Sequence, residues 1–161
     1  MSATGDLDFA TVLEVALGHA RPSDINETQE QVINNRLSLA IETVCLTSLT
    51  IGPDPDGVQN RRQVDSLNHT VFYVQLEGDR QARFSMENQE TSKKGTISAG
   101  ELVIKFRDSQ GISLKSVMSL ERPWDSLDII PTLRHLVVMF HIIGAANFKM
   151  NANLSGCRSW V

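Results

Sequence analysis

Two strand–turn–strand units in succession, between Thr70 and Val117, restrict this chain to folds built on an antiparallel sheet. From Thr70 to Glu77 the chain is rich in Val, Phe and Tyr, residues that fit a pleated, half-buried surface. Gly78-Asp79 then supplies a tight turn, and Gln81 to Met86 reads as the returning strand. After a polar stretch, Glu87 to Gly95, the pattern recurs: Glu101 to Arg107 alternates with Leu102, Ile104 and Phe106 on one face. Asp108-Ser109-Gln110-Gly111 turns the chain, and Ile112, Leu114 and Val117 follow as a return strand. The expected outcome is an antiparallel β-meander of four to five strands.

Such a sheet has an apolar face to cover, and two segments have the pattern to cover it. Near the N-terminus Phe9, Val12, Leu13, Ala16, Leu17 and Ala20 recur at helical spacing behind Asp6 and Asp8, either of which can cap a helix. Arg21-Pro22 is expected to end it, because the residue before proline is pushed out of the α region. Near the C-terminus Pro131 suits a first helical position. Leu133, Leu136, Val137, Phe140 and Ile143 form a face there, and Val138, Met139 and Ile142 make the remainder apolar too, as expected of a buried helix. Between these, Thr28 and Gln31 have capping-box spacing. Residues 28–51 fit one helix or a helix followed by a strand; the Thr and Val content of Thr43 to Ile51 favours a change to extended chain near Ile41. Gly52-Pro53-Asp54-Pro55-Asp56-Gly57 reads as a loop. The fold class expected is therefore α+β: the meander packed by an N-terminal amphipathic helix and a buried C-terminal helix, over one domain of residues 1–146 with a weakly ordered tail, 147–161.

A chain of 161 residues is one domain by length. It buries about 70% of the surface its unfolded form exposes, enough to hold a core without disulfide or metal. Two cysteines, Cys45 and Cys157, are too few for a disulfide scaffold. A net charge of -4 disfavours nonspecific attachment to nucleic acid or anionic lipid, which positive fields hold. Met1 to Asp8 carries acids and no apolar core of a signal peptide, and no apolar run is long enough to cross a bilayer. An intracellular, cytoplasmic protein with no transmembrane segment is the expectation. The N-x-S/T sequons at Asn26, Asn68 and Asn153 carry little weight without a secretory signal.

The residues that could carry chemistry do not fall into a pattern that uses them. His135 and His141 are six positions apart and point in different directions on a helix, and His19 and His69 are remote in sequence. Asp54 and Asp56 before Gly57 lack the later ligands of a calcium loop, and turn formation explains them. The scattered glycines form no phosphate-binding loop, and the G-x-S-x-G elbow is missing. Asp125 and Asp128 suit the positive N-terminus of the following helix. No catalytic residue, metal or cofactor is assigned on this basis.

The function expected is noncatalytic: a self-associating structural or interaction protein, of the kind a small viral matrix-like or accessory protomer represents. The apolar stripe of Phe9, Val12, Leu13 and Leu17 is the candidate surface for a homo-oligomer, with another protein partner as an alternative occupant. A second reading is a single-stranded RNA-binding module. Tyr73 and Phe84 would stack bases while Arg83, Lys105 and Arg107 meet phosphates. A third is an enzyme whose site is dispersed along the chain.

Overall fold

The structure, a computed structural model, describes residues 7–49, 69–88, 98–109, 111, 116–123, 130–147 and 149–150. Helix α1 (Phe9–Leu17) opens on Asp8, whose Oδ1 accepts the Thr11 N–H at 2.7 Å. It closes on Gly18, held at φ 72°. There the Gly18 N–H reaches Val15 O at 3.2 Å and the His19 N–H reaches Glu14 O at 3.1 Å, a Schellman motif. The helix thus stops before the expected Arg21-Pro22, because a residue without Cβ already turns the chain left-handed. Helix α2 (Glu27–Leu37) has its capping box at Asn26 and Gln29, with reciprocal bonds of 2.9 and 3.0 Å, rather than at Thr28 and Gln31. The segment after it is strand β2 (Ile41–Leu49), so helix followed by strand is the outcome for this part of the chain.

The sheet has the order β1-β5-β4-β3-β2-β6, every pairing antiparallel. Strands β2, β3 (His69–Leu76), β4 (Arg80–Asn88) and β5 (Ser98–Arg107) are successive neighbours and form the meander. Gly78 at φ 73° and Asp79 at φ 57° make the turn between β3 and β4, as their residue types suggest. Among the described residues the second expected hairpin is not formed. Strand β6 (Ser116–Pro123) leaves β5 and pairs with β2 at the other side of the meander, Leu46 opposite Leu120. The free edge of β5 is taken by β1 (Leu7–Asp8), Leu7 opposite Ile104, and by β7 (Lys149–Met150), Ala99 opposite Lys149. Glu121 to Pro123 continue β6; proline is tolerated at the end of an edge strand, where its missing N–H breaks no ladder.

One face of the sheet packs against all three helices. Val74 and Leu76 of β3, Phe84 and Met86 of β4, and Leu102 and Ile104 of β5 share a core with Val12 and Leu13 of α1 and with Ile33 and Leu37 of α2. Helix α3 (Leu133–Ile142) adds Leu133, Leu136, Val137 and Phe140. Phe140 sits between Phe84 (centroids 5.2 Å) and Phe72 (5.6 Å), edge-on to the first, and this trio fixes α3 on β3 and β4. Burial of each such ring contributes about 1.5–3 kcal/mol. The architecture is α+β, a meander-like sheet covered by helices.

Candidate functional site

Helix α3 presents the largest exposed apolar residues among the described part of the chain. Its start is set by Thr132, which is extended and bridges Ala40; the helix begins at Leu133, two residues after the expected Pro131. Pro131 instead offers its carbonyl to the Ile41 N–H at 2.9 Å, while the Leu133 N–H reaches Leu39 O at 3.0 Å. These bonds lock the helix onto the chain entering β2. The Thr132 N–H donates to His135 Nδ1 at 3.0 Å, leaving that ring nitrogen an acceptor. The Arg134 guanidinium lies across the end of α1, where Nη1 donates to Val15 O at 3.3 Å and also to Ala16 O, and Nη2 donates to Asn34 Oδ1 of α2 at 3.0 Å. A cation there meets the negative end of the α1 dipole, adding to the Gly18 N–H that already reaches Val15 O.

With Leu133, Leu136, Val137 and Phe140 turned to the core, helical geometry places Met139 and Ile142 on the other side, while Ile143, expected on the core face, is the C-cap residue and stands exposed past the end of the helix. They are 42%, 75% and 65% exposed. The expectation of a helix buried on most sides therefore holds for one face only. No acidic side chain lies between Leu133 and Ile143. Ile130, before the helix, is 62% exposed.

The residues expected to mediate self-association fall differently. Phe9, Val12 and Leu13 are buried in the core of the protomer, because the α1 stripe is the cover of the sheet; of the four, only Leu17 is open, at 40%. The residues expected to contact RNA are divided between the two sides of the sheet. Phe84 is fully buried under α3, and Tyr73 is buried on the opposite face with Cys45 and Val71. Neither ring has a free face on which a base could stack. Arg83, opposite Tyr73 in register, and Lys105, opposite Arg83, are half-buried, and Arg107 is exposed. The structure brings these three cations together but separates them from Phe84.

Titratable groups elsewhere are engaged locally. His19 Nδ1 meets Glu14 Oε2 at 2.6 Å on the surface. Thr11 Oγ1 lies 2.8 Å from both Asp8 Oδ2 and Asp24 Oδ2. Arg36 of α2 pairs with Asp108 at the end of β5, and that hydrogen bond with its charge holds the Asp108 carboxyl below the usual range. Among the described residues, no three His, Cys, Asp or Glu side chains converge as a metal site would require. No helix of the described residues is long and apolar enough to cross a membrane. Cys157, the Asp54–Gly57 loop and the Asp125/Asp128 pair lie outside the described residues. The sequence signal for α3 was present in its apolar excess, but which apolar residues face outward depends on where the core lies.

No curated protein and no solved structure matches the chain. A family model described as a domain of unknown function, DUF7770, matches residues 53–161. That span takes in β3 to β7 and α3, more than half of the sequence, and the chain belongs to this family.

Proposed function

We propose that the protein is a noncatalytic, self-associating structural or interaction protein, as a viral matrix-like or accessory protomer would be, and that α3 is its pairing surface. The observation that carries this reading is the exposure of Met139 and Ile142 on the outward side of α3, continued by Ile143 at its C-cap, while the other side of the helix is fully used. Water contact with such side chains is unfavourable by about 25 cal/mol per Å² of apolar surface, and covering them recovers it. A second copy is the occupant the stripe suits. Two α3 helices related by a twofold axis set the same three apolar residues against one another, and the absence of acidic residues there leaves no acid without a complementary charge. The patch is small beside the roughly 800 Å² per partner of a standard interface, so the pairing is expected to be weak and concentration-dependent.

Light scattering over a tenfold range of concentration up to about 100 µM tests it. The mass should rise toward twice the protomer, and Ile142→Asp should hold the protein at the monomer mass with its melting temperature unchanged. A constant monomer mass for the unsubstituted protein would overturn the reading.

A further inference from the structure

His135 has two places in α3 at once. It is the third residue of the helix, where a capping box sets Glu or Gln, and its Nδ1 accepts the Thr132 N–H at 3.0 Å. A backbone N–H can only donate, so the neutral ring carries its proton on Nε2. The Thr132 hydroxyl oxygen lies 2.9 Å from the same Nδ1. His135 also precedes Met139 by four residues and Ile142 by seven, which puts it in line with them on the outward side, and it is exposed as they are.

Protonation of Nδ1 acts on both roles. The ring loses the lone pair that holds the Thr132 N–H; the hydroxyl oxygen can accept from the new N–H, but the backbone donor then faces a proton. The cation also stands in the first turn of the helix, at the positive end of its dipole. On the surface it sets a charge within an apolar stripe, and covering that charge costs its hydration unless an acid answers it. No acid lies between Leu133 and Ile143, so a second copy brings none. Antiparallel copies would set the imidazolium against the partner's Ile142, and parallel copies would set two imidazolium rings together. The charged groups on the elements packed around α3 are Glu14 of α1, which meets His19, Glu27, Glu30 and Arg36 of α2, the last paired with Asp108, and Glu42 of β2. The sheet meets α3 through Phe72 and Phe84, and the turn Ala145–Asn147 carries no charge. On α3 itself Arg134 is committed to α1 and α2, and His141 lies about 100° around the helix from Ile142. Among the described residues none of these groups forms an ion pair with His135.

We propose that His135 is a pH-sensitive gate on α3. Neutral, it caps the helix and leaves the stripe free to pair; protonated, it loosens the cap and charges the stripe, and the copies separate. The gate rests on the reading that α3 pairs two copies of the chain. An imidazole ordinarily titrates near about pH 6.5, so pairing is complete above about pH 7.5 and is lost as pH falls through that range.

The test is light scattering of the full chain at pH 8 and pH 5.5, at about 100 µM and matched ionic strength. The mass should approach twice the protomer at pH 8 and fall toward the protomer at pH 5.5, the dissociation constant weakening at least about tenfold. His135→Gln supplies the acceptor this cap position favours and does not titrate, so it should stay paired at both pH values. His141→Gln should behave as wild type. Melting at a concentration too low for pairing reads the cap by itself: from pH 8 to pH 5.5 the wild type should lose about 2–4 °C more than His135→Gln. A monomer at pH 8 overturns the pairing and the gate together. Wild type paired equally at both pH values leaves the pairing intact and overturns the gate alone. The gate is likewise overturned if His135→Gln separates at pH 5.5 as wild type does, or if His141→Gln abolishes the response.

Discussion

Arg134 is the residue on which the arrangement of the three helices turns. Its guanidinium serves the carbonyls of Val15 and Ala16 and the Asn34 side chain together, a task suited to a planar group with several donors at fixed angles. Arg134→Met keeps the aliphatic stem and removes the donors. It should destabilise the protein by about 1–3 kcal/mol in chemical denaturation, and Arg134→Lys should recover only part of that. Asp108 gives a smaller, pH-dependent effect. Arg36, by hydrogen bond and charge, depresses its folded-state pKa. The stabilisation is therefore complete above the unfolded carboxyl value of about 4 and is lost as pH falls through the lower folded value. Asp108 is exposed, so solvent screening keeps the contribution within about 1 kcal/mol. Denaturation midpoints of wild type and Asp108→Asn should differ at pH 6 and converge at pH 2; an unchanging difference would show that the pair does not act through charge.

At the scale of elements, α3 is at once the main anchor of the helical layer and the proposed pairing surface, and the two roles separate by face. Phe140 is packed against Phe72 and Phe84. Phe140→Ala should cost about 3–5 kcal/mol, read as a lowered melting temperature, whereas Ile142→Asp should leave melting unchanged and act on mass alone. Strand β2 is the second decisive element. A register shift between Ile41 and Thr43 inserts an extra residue, so Ile41 joins the helix-side core while Cys45, at the same parity, lies on the other face. Strict alternation would set Ile41 and Cys45 on one face; the bulge separates them, and nothing in the side chains alone marks its position.

For the whole molecule, the match to the family begins at residue 53, but the core does not. Strand β2 lies between β3 and β6, and α1 supplies Phe9, Val12 and Leu13 to the same cluster as α3. A fragment of residues 53–161 would leave β6 without its neighbour and the sheet without much of its cover. It should show no cooperative thermal transition by circular dichroism, and mixing it with residues 1–52 should restore one. A fragment that melts cooperatively by itself would mean that the N-terminal segment is accessory to an independent fold.

What the sequence determined by itself was local: the strands of the meander, the turn at Gly78-Asp79, the amphipathic α1 and the apolar α3. Each depends on the side-chain period or the φ preference of a few adjacent residues, and those act without the rest of the chain. The partner of β6, the outward face of α3 and the fate of the proposed contact residues were decided by the tertiary structure. Strand pairing is a competition between edges: β1 and β7 occupy β5, and β2 offers β6 a long antiparallel ladder instead. The inward residues Leu133, Leu136, Val137 and Phe140 of α3 were legible from their spacing, whereas the exposure of Met139, Ile142 and Ile143 depends on which neighbours the fold sets against them. Tyr73 and Phe84 illustrate the same limit. Strand alternation puts residues of odd and even number on opposite faces, but the packing against each face determined that both rings would be covered.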